Sequence, residues 1–259
     1  MTTTVTKPAA LTVDETMSFL HSAPGKHLLR IRISGASEAT TNEEYFRWHD
    51  GRWGQVGQHP PGREPGLSEL IAANSWARLR AGVHCVIAPS ASEIGPITNI
   101  AVAFPVPLVQ RDDDVVDGTR PEGHPALARI LRAQRTPNRI DVPGVAAVMT
   151  RLENLGPTRP SAVVNSGDVV TGIWRLAEPI HEVGAASFNF LTMISAKLGH
   201  RVALRLGGDC RFAAEPQHQT VELVGTKRED ISPAHMVVAT VLNEERVTLE
   251  QLERLAAGG

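Results

Sequence analysis

Three acidic residues in a row, Asp112, Asp113 and Asp114, follow the apolar run 106–109. If that run is a strand and continues, Asp112 and Asp114 fall on one face, because strand side chains alternate. Two carboxylates so placed can hold one or two Mg²⁺ or Mn²⁺ ions, which would clamp a triphosphate. The same residues also fit a solvated acidic turn at a strand end, extended by Asp117-Gly118. A second stretch runs Pro160-Ser161-Ala162-Val163-Val164-Asn165-Ser166-Gly167-Asp168, then Ile173-Trp174-Arg175-Leu176-Ala177-Glu178-Pro179. Its Ser-Gly turn can set a hydroxyl and backbone N–H groups against phosphates, or simply close a hairpin with Trp174 packed beneath it. A third is Leu206-Gly207-Gly208-Asp209, where the glycines allow close backbone approach. Asp209 there is a candidate third metal ligand or base, or a turn residue. Arg201, Arg205, Arg211, Lys227 and Arg228 lie around it in sequence, as a basic patch for phosphates or a solvated face.

Other chemistries are disfavoured. Gly-x-Ser-x-Gly, Gly-x-Gly-x-x-Gly and the Walker A loop are all absent. His124, His200 and His218 lack the helical spacing of a zinc site. The two cysteines, Cys85 and Cys210, are too few for a disulfide framework or a Cys-based zinc centre, and they point to the reducing cytoplasm.

Twenty-six Lys+Arg against 28 Asp+Glu leave a net charge of −2, so any nucleic-acid contact must use a local patch. With 42% hydrophobic residues, the 259-residue chain can build a core of one large domain or two lobes. Aromatics, at 4%, are too scarce for a surface that stacks many bases. No apolar run of about 18 residues occurs and the N-terminus has no signal-like apolar region, so no membrane association is expected.

The elements that must position these residues are legible in outline. Residues 1–11 read as a tail, and Thr12 with Glu15 opens a short helix to His21. Residues 28–33 alternate as a half-buried strand, and 45–53 read as a hairpin turning at Asp50-Gly51. A helix is expected over 67–80, strands over 83–88 and 97–105, and helices over 125–135 and from Pro143 to about 155. Residues 162–165 and 171–176 pair around Ser166-Gly167-Asp168. Residues 183–198 form the longest helix, with Gly199-His200 as its stop, and 202–206 read as extended. Strands over 220–224 and 237–242 follow, and Thr248 with Gln251 caps a terminal helix. Residues 12–245 are read as the main domain and 246–259 as a C-terminal helix and tail. The alternation of helices with paired strands is an α+β pattern.

The order of these features resembles the archaeo-eukaryotic primase superfamily, and in it the RepB-like primases and primase-polymerases of plasmids and phages. The most specific stretch is Pro160 to Pro179, similar to a family pattern of Pro-Ser, a short apolar strand, Ser-Gly, then Trp-x-Leu and Glu-Pro. The resemblance implies a two-lobed α+β domain with an RRM-like palm that joins nucleotides to a 3′-hydroxyl using Mg²⁺ or Mn²⁺. It assigns a strand-borne Asp-x-Asp to Asp112 and Asp114 and a third catalytic and metal-binding carboxylate to Asp209. Ser166, Gly167, Thr171 and Lys227 would lie near the nucleotide. The implied partners are a single-stranded DNA template, nucleoside triphosphates and a separate replicative helicase.

The chain also departs from that pattern. Thr171 stands where the family has a phosphate-contacting His, and Asp168 and Val169 replace two glycines. Val224 replaces a Pro before Gly225-Thr226, Glu222 stands where an Arg is usual, and Asp113 sits between the two expected carboxylates. A carboxylate at 168 would repel a bound triphosphate at close range. Altered or lost catalysis on a retained fold is therefore the expectation, with a non-catalytic nucleic-acid or protein interaction module as the alternative. A third reading rests on Arg205 to Phe212, which resembles the Arg-x-Gly-Gly-Asp-Glu-Phe signature of diguanylate cyclases, but with Cys210 in place of its acidic residue and Arg211 inserted before Phe212.

Overall fold

A computed structural model describes residues 13–21, 28–34, 41–57, 63–72, 83–86, 97–106, 138–156, 159–180, 185–204, 220–228 and 231–257. Two antiparallel sheets organise them, in the expected α+β arrangement. The first contains β1 (Leu28–Ser34), β2 (Thr41–His49), β3 (Arg52–Gln55), β4 (Val83–Val86) and β9 (Thr220–Glu222), in the order β3-β2-β1-β4-β9. The second contains β5 (Ile97–Pro105), β7 (Ala162–Asn165), β8 (Val169–Ile180) and β13 (Val238–Val241), in the order β13-β7-β8-β5. Two short pairs complete the ladders. β6 (Asn138–Arg139) runs parallel to β11 (Ile231–Ser232), and β10 (Lys227–Arg228) antiparallel to β12 (His235–Met236).

The turn between β2 and β3 is the one its Asp-Gly dipeptide demands. Asp50 and Gly51 both have left-handed backbones, with φ of 49° and 80°. That pairing matches the twist of the flanking strands. In the first sheet Leu29, Ile31, Phe46, Trp53 and Val221 are buried, at 3% exposure or less. They face α1 (Val13–His21) and α2 (Leu67–Ala72), which Ser68 ties together by donating its hydroxyl to Asp14. The helix expected over 67–80 is described only as far as Ala72, and the helix expected over 125–135 lies outside the described residues.

The second sheet is covered on both faces, so β8 is buried without a break from Val170 to Leu176. Val170, Trp174 and Leu176 point with Ile100, Val102, Phe104 and Val163 toward three helices. These are α3 (Val142–Glu153), α4 (Ala185–Leu204) and α5 (Leu249–Ala257). Ile173 points the other way with Ala101, Ala162 and Val164, into the core shared with Met17, Leu67 and the first sheet. The small alanines on that face let neighbouring elements approach closely.

Helix ends follow local chemistry where the sequence supplies it. Asp141 caps α3 by accepting from the Gly144 N–H at 3.1 Å, and Pro143 lies in its first turn. Thr248 and Gln251 make a reciprocal box at the start of α5. The Thr248 N–H donates to Gln251 Oε1 at 2.8 Å, and the Gln251 N–H to Thr248 Oγ1 at 3.1 Å. Thr248→Ala is expected to lower stability by about 1 kcal/mol, seen as a lower urea midpoint with an unchanged slope.

One expectation fails. α4 does not stop at Gly199-His200 but continues to Leu204, so residues 202–204 are helical and not extended. Gly199 is buried together with Leu198. Two residues on, the Arg201 guanidinium donates to the Leu255 carbonyl near the end of α5. A glycine inside a helix costs only about 1 kcal/mol, and packing against a neighbour offsets it. No helix among the described residues is long and apolar enough to cross a membrane.

Candidate nucleotide-binding turn and its arginine clamp

The β7–β8 hairpin ends in Ser166-Gly167-Asp168, and this turn is held from several sides. Ser166 is buried at 3% exposure and donates both its N–H and its hydroxyl to the Val169 carbonyl, at 3.0 and 3.1 Å. The Gly167 N–H donates to Asn165 Oδ1 at 2.8 Å. Gly167 has φ of +95°, and a Cβ there would lie 2.6 Å from Ile231 Cδ1 and 3.2 Å from the His235 ring. Both the backbone and the lid formed by β11 and β12 therefore require glycine at 167. His235 reaches back over the turn, with Nε2 at 3.3 Å from the Asn165 carbonyl.

Asp168 is engaged through its main chain and its side chain. Its carbonyl accepts from the Val106 N–H at 2.7 Å, fastening the turn to the end of β5. Its carboxylate receives the Arg228 guanidinium as a fork, Nη1 to Oδ1 at 3.0 Å and Nη2 to Oδ2 at 3.1 Å. The same Arg228 pairs with Glu222 of β9. The three side chains are only 12–21% exposed. Paired, bidentate and half-shielded, this cluster is stronger than a surface ion pair.

The sequence positions expected at a nucleotide thus fall into distinct roles. Ser166 and Gly167 spend their donors inside the hairpin. Thr171 is buried at 5% exposure near the start of β8, between Val164 of β7 and Ala103 of β5. It lies on the same face as Arg175, whose guanidinium stacks 4.0 Å from the centre of the Phe19 ring. Burial, and then Arg246, push the Arg175 guanidinium down to about 10, with Glu244 acting the other way, so it stays charged at neutral pH. Lys227 is exposed next to the clamp. Behind it the N–H of Gly225 (φ of +89°) donates to the Val237 carbonyl at 2.9 Å, the Val237 N–H donates to the Thr226 carbonyl at 2.9 Å, and Thr226 Oγ1 donates to the Leu223 carbonyl at 2.6 Å.

Asp112, Asp114 and Asp209 lie outside the described residues, as do Arg205, Arg211 and the Gly207-Gly208 turn. Among the described residues no three His, Cys, Asp or Glu side chains gather as metal ligands. Of the basic residues grouped by sequence, Arg201 is committed to the end of α5 and Arg228 to the turn, so these two do not form one patch.

The role of Arg228 was not foreseen. The signal in the sequence is two carboxylates, Asp168 and Glu222, at positions where the resemblance leads one to expect a glycine and an arginine. Their nearness to each other and to one arginine is a tertiary fact, since Arg228 and Asp168 are 60 residues apart.

No family model matches the chain, and no curated protein does. Among solved structures the chain is similar to the archaeo-eukaryotic primase domain of the cyanophage S-2L primase-polymerase. The two are 13% identical with a TM-score of 0.47, over 93% of this chain and 94% of that one. It is similar to the catalytic domain of primase RepB′ in complex with initiator DNA, at 10% identity and a TM-score of 0.45, over 95% and 94% of the two chains. The polymerase domain of Mycobacterium tuberculosis ligase D in complex with DNA is 15% identical, with a TM-score of 0.38, over 95% and 86%.

Proposed function

We propose that this chain is a replication-associated protein of the primase-polymerase type. It would take a single-stranded DNA template and nucleoside triphosphates at the β7–β8 turn, acting in the cytoplasm beside a helicase supplied by another chain. The observation that carries the reading is the meeting of residues 166–168 with 227–228. The sequence resemblance sets both stretches around one triphosphate, and they are joined by the Asp168–Arg228 fork at 3.0 and 3.1 Å. Asp112, Asp114 and Asp209 are the proposed holders of Mg²⁺ or Mn²⁺, which would neutralise phosphate charge during transfer. The chain's own contribution is a shaped turn, with Lys227 beside it as the phosphate contact. The repulsion expected from a carboxylate at 168 is reduced but not cancelled, because Arg228 pairs it and Glu222 together.

A second reading, a non-catalytic interaction module on the same fold, is favoured by one observation. The Ser166 hydroxyl and the Gly167 N–H are consumed inside the hairpin. Manganese-supported nucleotide incorporation on primed and unprimed single-stranded templates separates the two. Wild-type protein is expected to extend, and an Asp112→Ala/Asp114→Ala variant to fall to background. Failure of the wild type both to extend and to bind nucleotide or Mn²⁺ would overturn the catalytic reading in favour of the interaction module.

A further inference from the structure

We infer that Asp168 is an internal competitor for phosphate. Its carboxylate holds the one guanidinium that the structure sets on the β7–β8 turn, so the protein rests with that cation closed to anions. The inference rests on the proposed nucleotide reading and adds a regulation of the same site. A guanidinium presents paired N–H groups in a fixed fork, and a carboxylate and a phosphate fit that fork alike. In Arg228 the fork is taken by one acceptor, Nη1 by Asp168 Oδ1 at 3.0 Å and Nη2 by Asp168 Oδ2 at 3.1 Å. Glu222 accepts a further bond from Nη1. The side chains of Arg228, Glu222 and Asp168 are 12%, 13% and 21% exposed, so solvent ions screen the cluster weakly. A phosphate arriving at the turn meets two carboxylates and a guanidinium already engaged.

Asp168, and not Glu222, is the partner placed to yield. It is the more exposed of the two carboxylates, and it alone takes both nitrogens of the fork. Exchange for a phosphate swaps one bidentate acceptor for another and leaves Glu222 on Nη1. Glu222 belongs to β9, where it pairs in register with His84 of β4. The turn itself does not use the Asp168 carboxylate for its backbone shape. The Ser166 N–H and hydroxyl donate to the Val169 carbonyl, the Gly167 N–H to Asn165 Oδ1, and the Val106 N–H to the Asp168 carbonyl. Arg228 stands on a strand of two residues, opposite His235 in the β10–β12 pair, with Lys227 before it. The charge at 168 thus sets how much of an anion's binding energy is consumed in opening the clamp.

The test is calorimetric titration of the full chain with inorganic tripolyphosphate, with EDTA present. Asp168→Asn is expected to bind about tenfold more tightly than wild type, the worth of one charge-assisted bond no longer broken on binding. Asp168→Ser repeats the test with a shorter neutral side chain, and circular dichroism and melting temperature show which variants are folded. Removing a negative charge would by itself favour an anion, so a second comparison isolates the guanidinium. Asp168→Asn/Glu222→Gln is expected to keep the gain, and Asp168→Asn/Glu222→Gln/Arg228→Met to lose it. A gain that persists without Arg228 would overturn the inference, because repulsion and not competition would then be at work. Unchanged or weaker binding in the neutral variants, beside a wild type that binds, would also overturn it and leave the nucleotide reading standing. No binding by the wild type or any variant would remove the proposed nucleotide site and the inference together.

Discussion

Trp174→Ala is expected to destabilise the protein by about 3–5 kcal/mol, the largest loss from any single truncation considered. The indole is fully buried, at 0% exposure. It lies on the helix-covered face of β8 among Val163, Leu152, Ile194 and Leu198. Its ring also lies across Gly172, whose missing side chain makes room, since a Cβ there would meet the ring at 3.2 Å. The cavity cannot be filled by local collapse, because β8 is central in its sheet and flanked by β5 and β7. A urea titration followed by circular dichroism measures the loss, and Trp174→Phe should recover more than half of it. A change below about 1 kcal/mol would mean that the indole is not the keystone of this core. The effect should reach the candidate site, because Thr171 and Arg175 lie on the other face of the same strand.

Arg228→Met is expected to cost about 2–4 kcal/mol, although it removes no apolar contact. Asp168 and Glu222 would be left as two neighbouring carboxylates, shielded from water and without the cation that joins them. The figure is set below that for a fully buried pair because Asp168 is 21% exposed. Asp168→Asn and Glu222→Gln in the Arg228→Met background should restore stability to within about 1 kcal/mol, since uncharged amides suffer no like-charge repulsion. If the single variant is harmless, or the triple variant is as unstable as the single, the clamp does not hold the turn. The same set read by nucleotide binding reports how far the turn's shape, apart from its charge, matters to a ligand.

Local devices were the readable part of this fold. Asp50-Gly51 announces a two-residue hairpin because few other dipeptides accept two left-handed residues. Thr248 and Gln251 announce a helix start because their side chains satisfy each other's backbone donors. The Ser166–Asp168 turn was equally visible. Gly199 misled, because a glycine stops a helix only where nothing beyond it is worth packing, and here Arg201 and the end of α5 lie beyond. The first sheet was the least legible. Its β4 and β9 are paired through Cys85 and Val221, far apart in the chain. No spacing rule brings such strands together, and only the shared apolar face does. The arginine clamp belongs to the same class, because its members are strung across three elements. The expected metal carboxylates, Asp112, Asp114 and Asp209, stand on the sequence alone, on their spacing and on the resemblance, because they lie outside the described residues.

The strand order of the second sheet also bears on how the chain folds. Its two central strands, β7 and β8, are joined by residues 166–168, whereas β5 and β13 are separated from them by residues 106–161 and 181–237. A hairpin closes in about 1–10 μs, while strands that must first close long loops carry a larger entropic cost and arrive later. The hairpin is therefore expected to form first and to template the docking of both outer strands. A substitution in its turn is therefore expected to slow refolding as well as to alter the proposed nucleotide site. The freedom of this chain to remodel residues 166–168 is bounded by the kinetics of its own assembly.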